Sequence, residues 1–277
     1  MRERRPAPPG GGPHREGVRV KVTTARGTIE VGDVGEGRPV VLLHALALSG
    51  RLFDPLAADW AARRRVLTPD ARGHGGSDWD GRPFTGEDLA DDVAALIETV
   101  VGGPADVIGM SMGGSTAVLL AERRPDLVSR LVLADATADY GPDRVASWAE
   151  RAEKAVNVPR EKQVDFQIDR WFSPSFVQSR PDEVRRVCDI FVATDSAAHA
   201  AACHALGTVD AAGGLGTITA PTLVLVGDED YATPPTMAEQ LATGIPDAHL
   251  EVLTATRHLS LIQRPDVWPS IEKHLDS

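Results

Sequence analysis

The chain has 277 residues, 42% of them hydrophobic, which suits one α/β domain carrying an inserted lid. Its formal charge of −11 argues against nucleic acid or an anionic membrane surface as partner, and means that an anionic ligand would need locally placed cations. No stretch approaches the length of a transmembrane helix, and no internal repeat is visible.

Residues 1–17, MRERRPAPPGGGPHREG, begin basic but hold no apolar core, so they do not read as a secretory signal. Proline and glycine dominate there, and a disordered tail is expected. Residues 18–24 and 28–34 alternate about Arg26-Gly27 and read as an opening hairpin. A strand over 40–44 runs into His44-Ala45-Leu46-Ala47-Leu48. A helix over 52–63 and a strand over 66–68 follow. The loop 70–77 is rich in glycine but lacks the Lys-Ser/Thr ending of a phosphate-binding loop, so it reads as a structural rim. A further helix is expected from Thr85 to about Val101.

Residues 105–115, Ala-Asp-Val-Ile-Gly-Met-Ser-Met-Gly-Gly-Ser, carry the strongest chemical signal. A short apolar run ends in Gly109-Met110-Ser111-Met112-Gly113, and a helical stretch follows. That is the sequence form of a nucleophile elbow, in which a sharp strand-to-helix turn exposes a serine hydroxyl. The helix N-terminus behind it turns backbone N–H groups towards a developing oxyanion. A serine of this kind needs an acid and then a histidine downstream. The apolar run 222–227 reads as a buried strand, and Asp228-Glu229-Asp230 stand at its C-terminal end. Asp230 is preferred as the acid, because a turn beginning with Tyr231 follows it; Asp228 is the alternative. His258 follows a last strand at 250–253 and completes the order. The expected roles are nucleophile for Ser111, proton carrier for His258 and orienting carboxylate for Asp230. Leu46 and Met112 are the expected oxyanion-hole donors, through their backbone amides, and His44 reads as a loop-shaping residue.

Strand and helix stop alternating between 139 and 210, where helical patterns run on without a buried strand, and alternation resumes at 222. The expected organisation is therefore a tail over 1–17, a core domain over 18–138 and 212–277, and a helical cap over 139–211 covering the C-terminal edge of the sheet. Cys188 and Cys203 lie in no metal or redox motif and are expected to be buried free thiols in a reducing cytosol, consistent with a cytoplasmic protein.

With the elbow, acid and histidine in this order, the chain resembles the α/β-hydrolase-fold serine hydrolases over essentially residues 18–276. Within them it most resembles the 3-oxoadipate enol-lactonases of aromatic catabolism. The narrower resemblance lies in 170–176 (RWFSPSF), 190–195 (IFVATD), 202–206 (ACHAL) and the acid loop 227–235 (GDEDYATPP). It implies a mostly parallel eight-stranded sheet with helices on both faces, and hydrolysis of an ester or lactone through an acyl-enzyme without metal or organic cofactor. The segment 148–154 (WAERAEK) is similar to a cap segment that bears the cations near the substrate carboxylate in these lactonases. Trp148, Arg151 and Lys154 also recur at i, i+3 and i+6, so they are the expected substrate-binding residues; a solvated face paired with Glu150 and Glu153 is the plain alternative. Two features depart from the family pattern: the oxyanion segment lacks a Leu-Gly pair, and Tyr231 replaces a smaller or apolar neighbour of the acid. The partner implied is a small ester or lactone, and the chain carries no signal of oligomeric state. A general carboxylesterase, a lactone or carbon–carbon bond hydrolase of secondary metabolism, and a non-catalytic small-molecule-binding protein on the same fold are the alternatives.

Overall fold

A computed structural model describes residues 17–277; the expected tail, apart from Gly17, lies outside the described residues. Eight strands form one sheet: β1 Val18–Thr24, β2 Gly27–Val34, β3 Arg38–Leu43, β4 Arg64–Pro69, β5 Ala105–Met110, β6 Val128–Ala134, β7 Thr222–Gly227 and β8 Ala248–Leu253. Their spatial order is β1-β2-β4-β3-β5-β6-β7-β8. The first hairpin is antiparallel, β2 pairs antiparallel with β4, and every later pairing is parallel.

The central strands are apolar throughout because both sheet faces are covered. Side chains alternate between two cores: Val41, Leu43, Val107, Leu131 and Leu133 face one, whereas Val40, Leu42, Ile108, Val132 and Ala134 face the other. The first core is closed by helices Gly86–Leu96, Met112–Arg123 and Pro235–Gly244. The second is closed by helices Asp54–Trp60 and Trp268–Asp276. The expected helix over 52–63 is shorter, beginning with a 3-10 turn at Gly50–Phe53. The helix from Gly86 is entered through a reciprocal capping box between Thr85 and Asp88 and ends in a π-helical turn, Ile97–Val101. Among the described residues no helix is long and apolar enough to cross a membrane.

Between β6 and β7 the chain leaves the sheet for five helices, Arg144–Asn157, Arg160–Trp171, Pro174–Ser179, Pro181–Ala193 and Ser196–Leu206. The two ends of this excursion meet in a bridge between Asp139 and Asp210. Trp171, Phe172, Phe176 and Phe191 pack it into the second core, with Phe172 and Phe176 stacked at 5.0 Å between ring centroids. Cys188 and Cys203 are free and buried within it. Because β3, β5, β6, β7 and β8 lie side by side and run parallel, the loops after them gather at one sheet edge. That edge is where open α/β sheets bind ligands.

Candidate active site

Ser111 stands between β5 and helix Met112–Arg123 with φ 56° and ψ −118°. A non-glycine residue there is strained by roughly 1–3 kcal/mol, and close packing around it holds the conformation. A Cβ on Gly109 would lie 2.3 Å from the carbonyl oxygen of Gly113. One on Gly113 would lie 2.1 Å from the carbonyl oxygen of Leu43. The glycines two residues either side of Ser111 therefore let the helix press against both β5 and β3. Backbone bonds from Ser111 N–H to Ala134 (2.9 Å) and from Gly113 N–H to His44 (3.1 Å) pin the corner.

The three residues separated by up to 147 positions meet here. Ser111 Oγ lies 2.8 Å from His258 Nε2, and His258 Nδ1 lies 2.8 Å from Asp230 Oδ2. Since Nδ1 faces a carboxylate, it carries the proton, which leaves the Nε2 lone pair for the serine hydroxyl. Asp230 is nearly inaccessible and also accepts from Ala232 N–H (2.8 Å), Thr233 N–H (3.1 Å) and Thr233 Oγ1 (2.8 Å). Burial alone would raise its carboxyl, but its contact with His258 and these donors outweigh that and hold the group below the ordinary carboxylate range. Asp228 is exposed and accepts only a 3.3 Å bond from Thr256 N–H, so it takes no part in this chain of contacts.

A second buried carboxylate lies beneath the first, and the sequence reading passed over it. Asp135, at the end of β6, accepts from Ser260 N–H at 2.8 Å and Gly227 N–H at 3.3 Å. It ties the histidine loop to the strand that carries Asp230. Burial, and then the Asp230 charge, push its pKa well up.

The loop after β3 is shaped by two neutral histidines. His44 Nε2 accepts from Ala71 N–H at 2.9 Å, so its Nδ1–H donates to Ala45 O at 2.8 Å. His74 repeats this logic, accepting from Ala47 N–H at 3.3 Å and donating to Arg72 O at 3.0 Å. Burial lowers the pKa of His44 to about 4 and that of His74 to about 3. Ala47 adopts φ 60° in the loop so formed. Among the described residues, Ser111, Gly113 and Ser115 amides are engaged by carbonyls, whereas those of Leu46 and Met112 have no such acceptor.

The pocket above Ser111 is lined by Leu46, Tyr140, Trp148, Arg151, Arg170 and His199, among others. Trp148 is buried and meets Tyr140 edge-on at 4.9 Å. Arg151 lies over the Trp148 ring at 4.5 Å, and Arg170 lies 5.3 Å from the rings of both Phe166 and Tyr231. Neither guanidinium forms an ion pair among the described residues, although most arginines of this acidic chain do. Arg151 and Arg170 border the same pocket, and burial, then the Arg170 charge, lower the Arg151 pKa.

Lys154 lies apart from them. It is 65% exposed, bonded to Glu150 at 2.7 Å, and borders an outer recess rather than the Ser111 pocket. The reason is geometric. Steps of three residues drift about 60° around a helix, so i and i+6 stand about 120° apart. Burial falls accordingly from Trp148 to Arg151 to Lys154. Arg170, Tyr140, Gln167 and His199 came from other elements, and no local pattern flags them. Arg170 does carry one signal: it directly precedes Trp171 in the lactonase-like cap segment. Tyr231 has a use as well, since its hydroxyl donates to Asp169 O at 2.7 Å and fastens the acid loop to the cap.

A serine on a strained strand-to-helix corner, with its histidine and acid on later strand ends of a mostly parallel sheet, defines an α/β hydrolase. A family model described as the alpha/beta hydrolase fold matches residues 38–265, and the chain belongs to that family. Among curated relatives, 3-oxoadipate enol-lactonase 2 of Acinetobacter baylyi is 29% identical over 232 residues, covering 83% of this chain and 86% of its own. The crystal structure of the enol-lactonase from Burkholderia xenovorans LB400 superimposes with a TM-score of 0.87 at 30% identity, covering 93% of this chain and all of that one (100%). A malate-bound thermophilic esterase from Thermogutta terrifontis gives 0.85 at 29% identity, over 94% and 98% of the two chains. Fold and relatives together support an ester-hydrolysing enzyme.

Proposed function

We propose that the protein is a serine hydrolase of small, carboxylate-bearing esters or lactones, and that an enol-lactone of the 3-oxoadipate type is its substrate. The observation that carries this is the Ser111–His258–Asp230 chain of 2.8 Å contacts opening into a pocket with two guanidiniums that have no acidic partner among the described residues. His258 Nε2 takes the Ser111 proton as Oγ bonds to the acyl carbon, and Asp230 stabilises the resulting imidazolium. The Leu46 and Met112 amides receive the oxyanion. As the acyl–oxygen bond breaks, His258 returns the proton to the leaving oxygen; water then attacks the acyl-enzyme by the same route. An enol leaving group departs readily, because it relaxes to a ketone. Arg151 and Arg170, with Trp148 as one wall, hold the carboxylate and so orient the scissile bond.

The relatives support the lactone reading by their names, and the similar esterase structure is one with malate, a carboxylate-bearing molecule, bound. A general carboxylesterase is the second reading, favoured by the esterase among the structural neighbours. Turnover of purified protein on 3-oxoadipate enol-lactone, a neutral phenyl ester and a vinylogous diketone separates these. Ser111→Ala should abolish hydrolysis of the preferred substrate by on the order of 10³-fold or more while leaving the far-ultraviolet spectrum unchanged. Near-wild-type turnover by that variant would remove the serine mechanism. A rate no higher with the enol-lactone than with the neutral ester would favour the general esterase.

A further inference from the structure

We infer that His199 sets substrate specificity by donating its Nε2–H to the substrate carboxylate, at the neck between the Ser111 pocket and the outer recess. The inference rests on the proposed carboxylate-bearing substrate and adds a donor that carries no charge.

His199 lies on helix Ser196–Leu206 and is only 5% exposed. Its Nδ1 is 3.0 Å from Nη1 of Arg160. A guanidinium can only donate, so Nδ1 must be the acceptor, and the neutral ring carries its proton on Nε2. Arg160 is well placed to enforce this tautomer. It is buried, its Nε donates to the Phe191 carbonyl at 2.8 Å, its Nη2 donates to the same oxygen, and its guanidinium lies 4.0 Å from the Phe191 ring. Burial, and then the Arg160 charge, hold the His199 pKa down to about 3, so the ring stays uncharged at neutral pH.

The other nitrogen is free. Among the described residues Nε2 makes no hydrogen bond, and the ring borders both the Ser111 pocket and the outer recess. Arg151, Gln167 and Arg170 border both as well, which places all four at the junction. A carboxylate presents about four lone-pair directions, and two guanidiniums that do not both bind it through paired N–H groups leave at least one over. A further cation beside Arg151, Arg160 and Arg170 would add like-charge repulsion. A neutral N–H of fixed tautomer serves the remaining direction without that cost. It also rewards an acceptor oxygen and gives nothing to an alkyl group of similar size.

The test has two arms. In the first, ring ¹⁵N resonances of the intact protein are followed from pH 5 to 8, with succinate as probe. The expected result is an unprotonated Nδ1 on His199 throughout and a saturable shift of its Nε2–H signal on adding succinate. A proton on Nδ1, or no shift with succinate, would overturn the inference whether or not the enzyme turns over any ester. In the second, kcat/KM is measured for 4-nitrophenyl hydrogen succinate and for 4-nitrophenyl acetate, and their ratio is taken. His199→Phe should lower that ratio by about tenfold, and His199→Gln, which keeps a donor near the Nε2 position, should recover most of it. An unchanged ratio in His199→Phe would overturn the inference. Wild-type protein inert to both esters and to 3-oxoadipate enol-lactone would instead remove the hydrolase reading, leaving the first arm to decide the role of His199.

Discussion

Replacing Arg170 by alanine separates a cation that faces the pocket from one that sequence spacing alone would have chosen. Arg170 lies 5.3 Å from each of two aromatic rings and has no acidic partner among the described residues. Little reorganisation is then needed for it to meet a carboxylate. A charge-assisted hydrogen bond of this kind contributes about 1.5–3 kcal/mol, which is roughly 10- to 150-fold in kcat/KM. The loss should fall on 4-nitrophenyl hydrogen succinate and largely spare 4-nitrophenyl acetate, because Ser111, His258 and Asp230 are untouched. Lys154→Ala is the comparison: the side chain is 65% exposed and already bonded to Glu150, so the ratio of the two rates should stay within about twofold. Losing the stacking on Phe166 and Tyr231 should cost only about 0.5–1 kcal/mol of stability, which thermal melts of both variants would read. Raising the ionic strength should weaken the succinate preference of wild type and much less that of Arg170→Ala. The reasoning fails if Arg170→Ala lowers both rates equally, or if Lys154→Ala depresses the succinate rate as strongly as Arg170→Ala does.

Asp230→Asn should reduce turnover on the order of 10³- to 10⁴-fold, since the amide offers His258 the wrong partner, whereas Asp228→Asn should change it little; the reverse ranking would reassign the acid. Gly113→Ala forces a Cβ to 2.1 Å from the Leu43 carbonyl, so it should lower the denaturation midpoint by the equivalent of about 1–3 kcal/mol or more and displace Ser111, and a melt matching wild type would refute the close approach. Acid should destabilise the fold through His44 and His74, whose folded pKa values lie near 4 and 3. Unfolded histidine titrates near 6.5, so the unfolded state takes up protons first. Stability is full above that value and falls as pH drops below it, by about 2 kcal/mol per ring at pH 5. Equal denaturant midpoints at pH 7.5 and pH 5 would contradict the neutral tautomers assigned to that loop.

Much of the scaffold was legible in the chain because periodicity reports backbone state directly. Apolar runs at 40–43, 105–110, 131–134 and 222–227 are strands buried on both faces, and each is found in the sheet. Gly-x-Ser-x-Gly between such a strand and a helix announces a turn that only small flanking residues permit. Parallel strands then bring their C-terminal loops to one edge, so the order serine, acid, histidine already implied that Ser111, Asp230 and His258 could meet. The choice between Asp230 and Asp228 was only a preference at that level. In the fold, Asp230 turns inward where Ala232, Thr233 and His258 converge, and Asp228 turns to solvent. The cap was different, because spacing within one helix says which residues share a side but not what that side faces. Trp148 and Arg151 reach the pocket, and the drift of successive three-residue steps carries Lys154 into water. Its place is taken by Arg170 from the next helix, with His199 from a third, residues that no window of sequence joins. A strand–turn–helix corner is written locally and survives reading one residue after another. A pocket wall is assembled from side chains remote in the chain, and only the packing of the cap against the sheet decides which of them meet.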